Sequence, residues 1–246
     1  MLVQRAILAG HGGDRAGMAA ARAELAALGT DHCHHSARLH GLAGAVCSLL
    51  EEDRERARTD LAAALVADQA APTTFALTGR LGLGLPLRAL DGDLTTAEYA
   101  ETAASPAAGL RWDRHFARLA AAVLAGADGD AAASQEAGAP YPIARHLGPR
   151  LVGEAAARNR WGAPETWLRT AEQYFHTAEI STVAGACRAQ LRQMGVRVAQ
   201  RRTGAHEVPD QLRLAGVTVR EHEVLKLLGA RLTNRLALIK LATEDL

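Results

Sequence analysis

Three observations predict an all-α chain built as a solenoid of helix pairs. The 246 residues are 48% hydrophobic but only 4% aromatic, and alanine and leucine dominate, which suits close-packed helices and disfavours a sandwich or barrel. A short acidic turn recurs at Gly13-Asp14, Glu52-Asp53, Gly92-Asp93 and Gly129-Asp130, its aspartates 39, 40 and 37 residues apart. Alanine-rich helical segments flank these turns. A helix, tight turn, helix unit at this spacing is the arithmetic of a tetratricopeptide-like α-solenoid. One helix pair cannot bury its apolar stripe alone, so stacking on a neighbour completes the core.

The elements follow in order. MLVQRAILAGHGGDR opens with an apolar run too short for the core of a signal peptide. RAGMAAARAELAALG leaves the first turn as a helix, and ARLHGLAGAVCSLL enters the second. RERARTDLAAALVAD leaves the second. TFALTGRLGLGLPLRAL (74–90) is predicted helical although Gly79, Gly82, Gly84 and Pro86 lower its propensity, which implies close packing or a kink. LTTAEYAETAA leaves the third turn, and DRHFARLAAAVLAG enters the fourth. IARHLGPRLVGEAAAR leads into a degenerate fifth copy, RWGAPETW (160–167). In the next helix Trp167, Leu168, Ala171, Phe175 and Ala178 recur at helical period, and in the last Val183, Ala186, Cys187, Leu191 and Met194 share a stripe closed by Gly195. The turn aspartates are predicted to N-cap the helices that follow them.

Composition then changes. Residues 1–195 form the helical-repeat domain, 196–211 a basic linker carrying Gly204 and Pro209, and 212–246 a small final module. Residues 188–246 hold 11 Arg or Lys against 6 Asp or Glu, whereas residues 1–187 hold 17 against 21, so positive charge gathers where phosphates could be met. The three cysteines, Cys33, Cys47 and Cys187, are odd in number and widely spaced, which suggests a reducing compartment. No window is long and apolar enough to span a membrane, and the expected location is the cytoplasm.

VTVREHEVLKLLGARLTNR (217–235) carries Thr218, Arg220, Glu221, Glu223, Val224, Leu225, Leu228, Thr233, Asn234 and Arg235 in a pattern that resembles the opening of the LuxR-type helix-turn-helix domain. AEISTVAGACRAQLRQMGVRVAQRR (178–202) resembles the junction before that domain in large actinobacterial regulators, where a helical-repeat region lies between an ATPase and the DNA-binding end. The resemblance implies a transcriptional regulator. Thr218 is the expected N-cap of the first helix, with Glu221 as its capping-box partner. Thr233 is the expected cap of the second. The pattern departs after Arg235, where Leu236, Ala237 and Leu238 replace the acidic-isoleucine-alanine run of the family. Residues for the family's recognition helix are not in the sequence, so a truncated helix-turn-helix with impaired sequence-specific DNA binding is expected. No G-x-x-x-x-G-K-[ST] occurs, so the ATPase is not represented.

Arg201, Arg202, Arg213, Arg220, Thr233, Asn234 and Arg235 are the candidate phosphate contacts, which would give affinity without reading sequence. The expected partners are duplex DNA bound weakly, a protein or small-molecule effector on the helical-repeat face, and a second copy of the chain as a homodimer. The rival reading is a stand-alone interaction module whose C-terminal helices cap the solenoid. Asp31-His32-Cys33-His34-His35 offers metal-like side chains, but neighbours on a helix diverge and no second cluster follows, so it reads as a polar helix start. Gly82-Leu83-Gly84 lacks the strand and further glycine of a dinucleotide site. His115, His146 and His176 read as packed or surface histidines, Trp112, Trp161 and Trp167 as contacts between repeats, and Glu51-Glu52-Asp53 as a solvated turn. No metal, cofactor or catalytic residue is expected, and the chain is not expected to be an enzyme.

Overall fold

The computed structural model describes residues 1–28, 34–70 and 82–198, together with 209, 211–212, 217, 221–222, 224–226 and 228–229. The described residues are all α, with no strand among them. Contacts divide the chain into two units, Met1–Val198 and Ala199–Leu246.

The first unit is a succession of helices: α1 (Leu2–His11), α2 (Arg15–Ala27), α3 (His34–Leu50), α4 (Arg54–Ala70), α5 (Gly84–Asp91), α6 (Thr96–Ala103), α7 (Arg111–Ala125), α8 (Gly129–Ala137), α9 (Pro142–Asn159), α10 (Pro164–Thr177) and α11 (Ser181–Gln193). α1 packs on α2, α3 on α4, α7 on α8 and α9 on α10, while α11 extends the row on α10. The first helices of successive pairs also meet, α1 with α3, α5 with α7 and α7 with α9. This is the packing of a helical-repeat fold. α6 departs from the pattern, since it rests on α7. The described part of the predicted 74–90 helix is α5, entered through a turn at Gly82.

The recurring turns have a common backbone cause. One residue in each adopts the left-handed conformation that ends a helix, at Gly13, Glu52, Gly92, Gly126 and Arg160. The aspartate caps form at two of the four predicted places. Asp14 accepts from the Gly17 N–H at 2.8 Å, and Asp53 from the Arg56 N–H at 2.9 Å. At the third turn Thr95 replaces Asp93, because Thr95 and Glu98 form a reciprocal capping box that starts α6 two residues later. At the fourth, α8 begins at Gly129, so Asp130 lies in its first turn, where a carboxylate faces the positive end of the helix dipole.

The main core joins α3, α4, α5, α7, α9, α10 and α11, with Phe116, Leu168, Ala171, Phe175, Val183 and Cys187 fully buried. Complete burial of each phenylalanine stabilises the fold by about 2–3 kcal/mol. The predicted stripes of α10 and α11 are thus largely the buried ones, although Ala178 is exposed beyond the end of α10. Small residues set the spacing of the N-terminal pairs. A Cβ on Gly41 of α3 would lie 2.8 Å from the Asp60 carbonyl oxygen and 2.6 Å from the Ala64 Cβ of α4. A Cβ on Gly10 would lie 2.8 Å from the Ala43 carbonyl oxygen.

A pair of ion pairs reaches beyond nearest-neighbour stacking. Arg150 on α9 donates to both Glu52 carboxylate oxygens, at 3.1 and 2.7 Å, and Arg54 reaches Glu154 at 2.5 Å. The Glu51-Glu52-Asp53 turn is therefore not simply solvated, as its charge suggested. Glu52 is held by Arg150, and Glu51 accepts from Arg15 at 2.8 Å.

In the second unit, residues 211–212, 221–222, 224–226 and 228–229 are helical, and His222 is buried. Val224, Leu225 and Leu228 are 49%, 49% and 51% exposed.

Candidate functional site

The sequence arranges α7 as an aromatic hub. Trp112 and Phe116, one helical turn apart, meet edge to face at 5.0 Å. Tyr141, immediately before α9, meets Trp112 edge to face at 5.1 Å, and His11 at the end of α1 lies 5.9 Å from the same indole. These rings line a cavity of about 440 Å³ completed by Ile7, by Leu39, Leu42 and Val46 of α3, and by residues 140–144 and Leu147. Four helices of the row, α1, α3, α7 and α9, therefore share one apolar space.

Local sequence explains the positions. Pro142 opens α9, and its ring presets the backbone angle of a first helical turn. That turn is pinned from behind by His115, whose Nδ1 lies 2.9 Å from the Ser134 carbonyl oxygen and whose Nε2 lies 3.0 Å from that of Ala144. Gly138 and Gly148 leave room for this imidazole, since a Cβ on Gly138 would lie 2.7 Å from its Nδ1 and one on Gly148 3.2 Å from its Nε2.

The electrostatics are those of a dry site. Burial pushes the His11 imidazole below its ordinary value, so it is neutral at neutral pH. The Trp112 Nε1–H is buried without a hydrogen-bond partner. Next to it in sequence, Asp113 is fully buried with both carboxyl oxygens unpartnered, and burial raises it to about 7. Among the described residues that line the cavity none carries a formal charge, a thiol or an aliphatic hydroxyl. Such a lining suits an apolar occupant.

The sequence-predicted residues fall elsewhere. Thr218, Arg201, Arg202, Arg213, Arg220, Thr233, Asn234 and Arg235 lie outside the described residues, while Glu221 is exposed in a helical stretch. Asp31, His32 and Cys33 also lie outside them, and among the described residues no three His, Cys, Asp or Glu side chains converge as for a metal. Trp161 and Trp167 meet at 5.6 Å across the turn between α9 and α10, and Trp112 of α7 packs on Tyr141 and His11, so all three make contacts between elements as expected, while Trp112 also lines the cavity. His146 stacks on Tyr174 at 3.9 Å. Asp113, which sequence reading passed over, has one usable signal. It stands three, four and seven residues before Phe116, Ala117 and Ala120, in register with the buried stripe of α7.

No protein-family model, curated protein or solved structure matches this chain.

A second cleft, of about 80 Å³ between α7 and α8, is lined by Arg111, Arg114, Arg118 and Glu136. Arg114 donates to the Gly109 carbonyl at 2.6 Å and Arg118 lies 3.9 Å from Asp130, so two of its three cations are already engaged.

Proposed function

We propose that the chain is the receiving region of a LuxR-type transcriptional regulator. Its helical-repeat unit takes up an effector, and residues 212–246 belong to the DNA-binding module. The cavity carries the first half of this reading. Its walls come from α1, α3, α7 and α9, so an occupant touches several repeats at once and binds best to one arrangement of them. A ligand shifts a conformational equilibrium only through such differential contacts. The second half rests on the residue pattern of 217–235 and on the basic stretch that precedes it. A cytoplasmic location belongs to the same reading, supported by the buried, unpaired thiols of Cys47 and Cys187. No helix among the described residues is long and apolar enough to cross a membrane.

The half-exposed Val224, Leu225 and Leu228 favour a second reading, a protein-interaction module. Three large apolar side chains within five residues form a patch suited to covering by another surface.

Fluorescence anisotropy with a labelled random-sequence duplex separates the two. The regulator reading expects weak binding that falls as salt rises. Replacing Arg201, Arg202, Arg213 and Arg220 together by alanine is expected to lower the log–log salt slope by about 3, if nearly all four meet phosphates. Absence of duplex binding at low salt, or an unchanged slope, overturns the regulator reading in favour of the interaction module.

A further inference from the structure

The geometry points to a specific ligand class for the cavity beside Trp112: an uncharged, ring-containing small molecule. This deepens the effector half of the proposed function and does not depend on the DNA half.

The cavity's volume, its charge and its ring surfaces carry the assignment. The volume, about 440 Å³, is that of a small-molecule pocket and too small for a helix of a partner protein. The described lining holds no formal charge, and His11 is kept neutral by burial, so a charged ligand would lose its hydration without meeting a counter-charge. Phe116 and Tyr141 stand edge-on to Trp112, so the cavity offers ring surfaces against which a planar ligand packs. Neither the His11 imidazole nor the Tyr141 hydroxyl has a hydrogen-bond partner among the described residues, which leaves both available to a ligand substituent.

The full chain is titrated with Nile red, a neutral fused-ring dye with a carbonyl, with anthracene, a neutral ring without an acceptor, and with the anionic dye anilinonaphthalene sulfonate. Saturable binding of one Nile red per chain is expected, without displacement by the anion. Anthracene is expected to displace Nile red, since both neutral rings occupy the same cavity. Ile143→Trp, which fills the cavity from a part-exposed wall position, is expected to abolish both, and Leu39→Trp serves if that variant fails to fold. The proposal is overturned if no neutral probe saturates on folded protein, if anthracene fails to displace Nile red, if the anion competes on equal terms, or if filling the cavity leaves binding intact. None of these outcomes bears on the duplex titration.

Discussion

The protonation state of Asp113 bears directly on the stability of the fold. Desolvation raises its carboxyl to about 7 in the folded protein, against an ordinary value of 3.8. A raised acid favours the folded state fully below about pH 4, and that advantage is lost as pH rises to 7. The loss is on the order of 4 kcal/mol. His11, His115 and His146 are each lowered by burial and act in the opposite sense, destabilising the fold as pH falls below about 6.5. The readout is therefore a difference. In urea unfolding, the stability of Asp113→Asn relative to the parent is expected to grow steadily between pH 4 and 7, and a flat difference would show that the carboxyl is not desolvated. His115 has a constraint of its own. A neutral imidazole carries one N–H, so only one of its two carbonyl contacts is a donated hydrogen bond, and burial keeps it neutral despite the second carbonyl.

At the scale of the helix, most of what was legible in the sequence was period and punctuation. The stripe Leu168, Ala171, Phe175 could be read directly, because 3.6-residue spacing puts it on one face and burial follows. The turns were legible through Gly13, Gly92 and their acidic neighbours. Their exact caps were not, because Thr95 competes locally with Asp93 and wins through Glu98. Helix contacts also decide which glycines matter. Gly41→Ala is expected to destabilise by about 1–3 kcal/mol, since its methyl meets the backbone of α4. Gly185→Ala, in α11 with nothing nearer than 4.0 Å, is expected to stabilise by up to about 1 kcal/mol. Thermal or urea unfolding of the pair tests the sign. The same sign for both would mean that α3 and α4 are not in close contact at Gly41.

Across the whole molecule, sequence could announce a repeat fold but not its cavity. Trp112 and Tyr141 are 29 residues apart and His11 is a further hundred away, so no local pattern marks them as neighbours. The same holds for Glu52, read as part of a solvated turn, and Arg150, 98 residues further on. Arg150→Met is expected to cost about 3 kcal/mol, because it strands a part-buried Glu52 carboxylate. Adding Glu52→Gln should restore most of the loss, since the stranded charge is then removed as well. A double variant as unstable as the single one would place the cost in packing instead.

The bridge from Glu52 to Arg150 has a kinetic corollary. A row of repeats that touch only their neighbours can grow or fray from either end, one unit at a time, because every closed loop is short. Here the turn between α3 and α4 is tied to α9, 98 residues away. Forming that tie requires the intervening chain to be in place, and keeping it makes the stretch from Glu52 to Arg150 open together rather than one repeat at a time. That stretch should behave as one cooperative block with a slower search than its helix content alone suggests.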